Sequence, residues 1–125
     1  MATKNRIFIS FAIEDAAYRT MLVGQAKNNK SPFEFVDMSV KEPWDEKWKT
    51  NCRTRIKGCD GVIALISKNT AKADGALWEI KCAKEESVPI RGVYCTTENR
   101  PSSTPEGLKM LNWTWENIAN FINSL

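Results

Sequence analysis

The sequence predicts an α/β protein: a single domain over residues 1–125, built on a parallel sheet of four to five strands with helices on both faces. Three observations carry this. Short β-branched and aromatic runs alternate along the chain with longer segments of helical character. Two of those runs, Arg6-Ile7-Phe8-Ile9-Ser10-Phe11 and Asp60-Gly61-Val62-Ile63-Ala64-Leu65-Ile66, are apolar on successive residues, as strands covered on both faces must be. The chain has 125 residues, 42% hydrophobic and 26% charged, an ordinary balance for one globular domain.

The first strand is residues 6–11. Asp15 is placed to N-cap a helix over residues 16–28, with Ala17, Tyr18, Met21 and Leu22 on one face and Asn28-Asn29 ending it. Phe33-Glu34-Phe35-Val36-Asp37 reads as the second strand. Met38 to Trp44 is a loop punctuated by Pro43. Asp45 caps a helix to Lys57, in which Trp48, Cys52 and Ile56 recur every four residues and Gly58 is the stop. The third strand is residues 60–66, followed by the loop Ser67-Lys68-Asn69-Thr70. Asp74 caps a helix through Glu86, and Val88 to Tyr94 is the fourth strand. Residues 95–107 carry turn residues and no strand pattern. Leu111 to Trp113 is a short edge strand, and Thr114 caps a last helix bearing Ile118, Phe121 and Ile122. Short connections between alternating elements predict the doubly wound, flavodoxin-like order.

Several function classes drop out on composition. Lys plus Arg is 18 against 15 Asp plus Glu, a net charge of +3, and no run of Lys/Arg exceeds two residues. No nucleic-acid partner is expected. The longest apolar run, Val62 to Ile66, is far short of a membrane span. The first residues lack the apolar region of a signal peptide, so the expectation is a cytoplasmic protein without a membrane partner. There is no His, which removes His-based triads and most metal sites, and no metal is expected. The four cysteines, Cys52, Cys59, Cys82 and Cys95, form no CxxC. They are expected to be buried small hydrophobes.

In an open parallel sheet, ligands bind beyond the carboxyl ends of the strands where strand order reverses. Here that point lies between strands one and three, beside the loops Ser10-Phe11-Ala12-Ile13 and Ser67-Lys68-Asn69-Thr70. The N-terminus of the helix starting near Gly75 points the same way, and its free N–H groups favour an anion. A phosphate-accepting receiver needs acidic residues after strand one and an Asp ending strand three, but Phe11 and Ser67 stand there. A flavodoxin needs a hydroxyl-rich phosphate loop, and Phe11-Ala12-Ile13-Glu14 is none. Walker and GxGxxG loops are absent.

The helix after strand three is the informative element. Ala76, Ile80 and Ala83 form its apolar centre, and Glu79 lies about 60° from Ala76 and about 40° from Ala83 at 100° per residue. A carboxylate at the edge of a buried face, beside the predicted crevice, is either a site residue or a solvated partner in a surface ion pair. Trp78 faces away, packed under a loop or presented to a partner. Trp44, in its Pro-containing loop, either packs locally or stacks on a ligand ring. Asp37, ending strand two, is a turn residue or an acceptor for a ribose hydroxyl.

Taken together, Arg6 to Phe11, Phe35-Val36-Asp37-Met38-Ser39, Arg55-Ile56-Lys57, Val62 to Thr70 and Trp78-Glu79-Ile80 resemble the TIR-like domains that include the ThsB subunits of Thoeris anti-phage defence. The resemblance covers residues 5–95. It implies a flavodoxin-like fold, in agreement with the element order. It also implies cleavage of the nicotinamide–ribose bond of NAD, which is substrate and not cofactor. The implied product is an ADP-ribose-derived signal, often cyclised, that diffuses to an effector protein. The catalytic residue it implies is Glu79. Ring contacts then fall to Phe11 and Trp44, ribose to Asp37, and the phosphate side to Ser10, Ser67 and Thr70. Self-association through the residue 38–45 loop is also implied. The chain departs from many relatives by carrying Gly75, not Trp, four residues before the Glu, and Ser67 where a Gly often follows strand three. The alternative function is a non-catalytic interaction module that assembles through residues 38–45 and Trp78.

Overall fold

The computed structural model describes residues 5–28, 33–36, 42, 44–96 and 107–125. Five strands form one wholly parallel sheet: β1 (Arg6–Ser10), β2 (Glu34–Val36), β3 (Gly61–Ile66), β4 (Ile90–Tyr94) and β5 (Met110–Leu111). Their spatial order is β2-β1-β3-β4-β5. This is the flavodoxin-like order the alternation predicts. Helices α1 (Ala16–Asn28), α2 (Glu46–Lys57), α3 (Asp74–Glu85) and α4 (Trp115–Asn123) cover the two faces.

Strand periodicity divides the core into two clusters. Phe8, Val62, Ala64 and Ile66 point toward α2 and α3, where they meet Trp48, Cys52, Ile56, Ile80 and Ala83. Ile7, Ile9, Ile63 and Leu65 point the other way, toward Leu22 of α1 and Ile118, Phe121 and Ile122 of α4. Every residue of β3 is buried, so this strand is the centre of the molecule. Ile7↔Gly61 through Ser10↔Ala64 sets its register against β1, which brings the ends of these two strands side by side.

Two of the expected caps form. Asp45 accepts from the backbone N–H of Lys47 at 2.8 Å and Trp48 at 3.4 Å, starting α2. Thr114 accepts from Asn117 N–H at 3.1 Å, starting α4. Two others do not. Asp15 lies inside a 3-10 turn (Ile13–Asp15) and turns its side chain into the protein. Asp74 is the first residue of α3 itself, exposed, and the position before it, Ala73, makes no side-chain cap. The expected apolar face of α1 is also shifted. Ala17 is exposed and Met21 is 55% exposed, while Leu22 and Ala26 are buried. The helix has only a weak apolar stripe, so its packing face is chosen by the neighbouring α4 and sheet.

Helices α2 and α3 are clamped together at their outer edge. Arg53 of α2 reaches Glu86 at 2.6 Å and Glu85 at 3.2 Å. Its guanidinium lies 5.5 Å from the Trp78 ring centroid. Trp78 in turn meets Trp48 edge to face at 5.4 Å. Trp78 is thus partly buried between two helices. The Glu86 and Glu85 carboxylates hold the Arg53 pKa above its ordinary value. This clamp fixes Cys52 of α2 against Glu79 of α3.

Candidate functional site

The expected crevice is present at the strand-order reversal. A cleft of about 220 Å³ opens there, lined by Ala12, Ile13 and Glu14 after β1, Trp44 before α2, and Ala73, Asp74, Gly75 and Ala76 at the start of α3. Trp44 is 76% exposed and Ile13 is 47% exposed. Of the expected site residues that are described, Trp44 alone lines this cleft.

Glu79 sits one helical turn beyond Ala76, and it is 0% exposed. It is not the solvated surface carboxylate that helix position alone allows. The Ser10 hydroxyl, at the end of β1, lies 3.0 Å from Glu79 Oε1 and 3.3 Å from the Ala76 carbonyl, so its one proton is shared between them. The Cys52 thiol approaches Glu79 Oε2 at 3.8 Å. Burying a carboxylate costs several kcal/mol, roughly, unless donors replace the lost water. Ser10 and Cys52 supply donors from two different elements. Ser10, Ala76 and Glu79 therefore form a continuous path from the cleft lining to the buried carboxylate.

A second buried carboxylate lies on the opposite face of the sheet. Asp15, 1% exposed, accepts from the Ser67 hydroxyl at 2.6 Å and from the Asn69 side-chain amide at 3.0 Å. The loop after β3 is wound around the same serine. Asn69 N–H donates to Ser67 Oγ at 3.0 Å, Ser67 N–H to Thr70 Oγ1 at 3.0 Å, and Thr70 N–H to the Ser67 carbonyl at 3.2 Å. Ser67 and Thr70, expected on a phosphate side, are buried in this knot and line no part of the cleft. Phe11, expected as a ring contact, is 1% exposed in the core against α1, with the Arg19 guanidinium 5.9 Å from its ring centroid. Asp37 lies outside the described residues, as do residues 38–41 and Pro43 of the residue 38–45 loop. Asp15, Asn69 and the Cys52 contact escaped the sequence reading. The signal for Asp15 was the hydroxyl-and-amide string Ser67-Lys68-Asn69-Thr70, which is turn chemistry in need of an acceptor.

All four cysteines are buried, as expected, and none is in a disulfide. Burial raises the Cys95 thiol to about 12, with the nearby Asp15 charge adding to it, and the Cys59 thiol to about 11. Burial also raises Cys82, against the pull of Arg53. Thiols held protonated are poor nucleophiles. Among the described residues no three His, Cys, Asp or Glu side chains converge to hold a metal ion. Among them, too, no helix is long and apolar enough to cross a membrane.

Comparison with known proteins bears on this geometry. The family model of the Thoeris protein ThsB, TIR-like domain, matches residues 8–100. The chain belongs to the ThsB TIR-like family. The ThsB-type fold is shared with solved structures of low sequence identity. The TIR domain of the Toll-related receptor TRR-2 from Hydra magnipapillata is 16% identical, with a TM-score of 0.60 over 94% of this chain and 91% of that one. A prokaryotic SEFIR domain is 17% identical, with a TM-score of 0.51 over 97% of this chain and 89% of that one. Curated proteins offer no sequence match. In the ThsB-type domain, the matched segment contains both buried carboxylates and the whole cleft.

Proposed function

We propose that this TIR-like domain cleaves the nicotinamide–ribose bond of NAD and releases an ADP-ribose-derived signal, linear or cyclic, for an effector protein. The observation that carries the reading is the position of Glu79: a buried carboxylate one helical turn from the cleft, at the switch point of the sheet, tied to the end of β1. Family membership supports it. In the reaction the C1′–N bond breaks and its electron pair leaves with nicotinamide, whose ring nitrogen becomes neutral. Positive charge is left on the ribose. A nearby carboxylate stabilises that charge, as in other glycosyl transfers. Water, or a hydroxyl of the same ADP-ribose, then bonds to C1′ and loses a proton to solvent. The leaving group needs no acid, so a chain without His is chemically sufficient.

Glu79 is closed off from solvent in this conformation, so catalysis requires the cleft to deepen toward Ser10. Self-association through residues 38–45 is the proposed trigger, and Trp44 already stands exposed at that edge. The test is nicotinamide release from NAD by concentrated protein, wild type beside Glu79→Gln. Release that depends on Glu79 supports the reading; full release by the variant contradicts it. A second reading, a non-catalytic assembly module, draws on the full burial of Glu79 and the exposed pair Trp44 and Ile13. It predicts no NAD turnover under any condition, and loss of stability on Glu79→Gln.

A further inference from the structure

The last torsion of a glutamate side chain is broad and two-fold, so the plane of the Glu79 carboxylate turns easily unless its oxygens are bound from outside. Here the two oxygens are bound from two different elements. Oε1 faces β1, where the Ser10 hydroxyl lies 3.0 Å away and is shared with the Ala76 carbonyl at 3.3 Å. Ala76 lines the cleft, so Oε1 stands on the path from the cleft. Oε2 faces α2, where the Cys52 thiol lies 3.8 Å away. A carboxylate only accepts, so the thiol S–H is the donor. Cys52 and Glu79 are both 0% exposed, and bulk water does not compete for this contact.

The approach of Cys52 is enforced by its surroundings. It lies between Trp48 and Ile56 on the buried stripe of α2. Trp48, one turn before it, meets Trp78 of α3 at 5.4 Å, and Trp78 precedes Glu79 in the chain. Arg53, the next residue, binds Glu86 at 2.6 Å and Glu85 at 3.2 Å at the far end of α3. Contacts on both sides of the thiol therefore pin α2 against α3. Packing as a small hydrophobe explains a cysteine in this cluster. It does not explain a sulfur aimed at a carboxylate oxygen.

We infer that Cys52 is a positioning residue for Glu79. Its thiol holds Oε2 and fixes the carboxylate plane, which leaves Oε1 to face whatever enters past Ser10. The role in turnover rests on the NAD reading. There, the Ser10 hydroxyl turns to the Ala76 carbonyl, and Oε1 meets the ribose as its positive charge develops. Cys52 touches no reacting atom; its effect runs through the angle at which Glu79 is presented.

The test separates the hold from the chemistry. Infrared spectra of the intact protein record the S–H stretch of its thiols, and Cys52→Ser identifies the Cys52 band by its loss. Glu79→Gln should raise the frequency of that band, since a neutral amide accepts more weakly than a carboxylate. Nicotinamide release from NAD is then measured where the wild type is active. Cys52→Ala should lower kcat about tenfold and leave KM within about twofold, the pattern of a misaligned group that acts only in the transition state. Cys52→Ser, which keeps a donor, should recover part of the loss. Cys59→Ala removes the same atoms from the same core cluster, just before β3, and should leave kcat unchanged. Melting temperatures show which variants fold, and the infrared arm decides if Cys52→Ala does not. A Cys52 band that Glu79→Gln leaves in place, a folded Cys52→Ala with full kcat, or an equal loss in Cys59→Ala overturns the inference. A Cys52 band that responds to Glu79→Gln in a protein silent toward NAD in every setting would sink the NAD reading and leave the hold on Glu79 standing. Turnover that survives Cys52→Ala would do the reverse.

Discussion

Glu79 and Asp15 are two carboxylates buried at the same end of the same sheet, on opposite faces, and each ties the β1 side to the β3 side. Asp15 comes from the segment after β1 and binds Ser67 and Asn69 after β3. Glu79 comes from the helix after β3 and binds Ser10 at the end of β1. The contacts differ in kind. Asp15 receives a short hydroxyl bond and an amide, inside a loop whose backbone is folded around Ser67. Glu79's contacts include a hydroxyl proton shared with a carbonyl, and a thiol, a weak donor. A carboxylate held by strong donors is an architectural tether. Glu79 stands one helical turn from the cleft, whereas Asp15 lines no part of it. The NAD reading proposed above takes Asp15 as architecture and Glu79 as the seat of the chemistry.

The comparison can be broken by substitution. Asp15→Ala should have the largest effect on stability. It strands the buried Ser67 hydroxyl and removes the half-buried Asn69 amide bond, and should cost about 3 kcal/mol, a buried unsatisfied group costing about 1–3 kcal/mol and a lost hydrogen bond about 1 kcal/mol. Melting should fall by roughly 10 °C. A shift of only a degree or two would strip Asp15 of its tethering role. Ser10→Ala should cost about 2 kcal/mol in denaturant unfolding, a hydrogen bond to a charged group being worth about 1.5–3 kcal/mol. If Ser10→Ala instead proves as costly as Asp15→Ala, the two carboxylates are equally structural and the contrast fails. Arg53→Ala should cost about 1 kcal/mol or less at low salt, and a double-mutant cycle with Glu86→Gln should find the coupling reduced by added salt.

The smallest effect is on a titration. Cys95 sits on the Asp15 face with its thiol pushed up to about 12, chiefly by burial and secondarily by Asp15. A thiol whose folded pKa is raised contributes stability that is complete below its unfolded value near 9.0 and is lost as pH rises through the folded value. Denaturant midpoints should therefore fall between about pH 9 and pH 12. Asp15→Asn should lower the Cys95 midpoint, read from thiolate absorbance. An unchanged midpoint would mean that the Asp15 charge does not reach Cys95.

The contrast also explains what the sequence could disclose. The sheet order was legible because alternation of strand and helix leaves few arrangements, and the all-apolar run Val62 to Ile66 marks the central strand. Glu79 was legible as a carboxylate at the border of the α3 apolar face. Its complete burial was not, because Ser10 and Cys52 lie 69 and 27 residues away in the chain, and one helix's periodicity carries no record of them. Asp15 read as a helix cap, since an Asp before an alanine-rich helix usually is one. Its true partners lie 52 and 54 residues off. Trp44 was legible as a large ring beside Pro43 between a strand and a helix, and it is 76% exposed. Phe11, Ser67 and Thr70 were placed near the right strand ends. Which way each side chain turns there is decided by strand alternation and loop winding, and these set all three into the interior.

The most direct test of the central claim sets the two carboxylates side by side. Wild type, Glu79→Gln and Asp15→Asn are incubated with NAD, first as concentrated protein and then in lysate of phage-infected cells, with products resolved by chromatography and mass. Melting is recorded for each. The account predicts that Glu79→Gln abolishes nicotinamide release while its melting temperature shifts by only a few degrees. It predicts that Asp15→Asn releases nicotinamide in proportion to the folded fraction that survives its larger loss of stability. Full release by Glu79→Gln, or silence from the wild type in both settings, would contradict it.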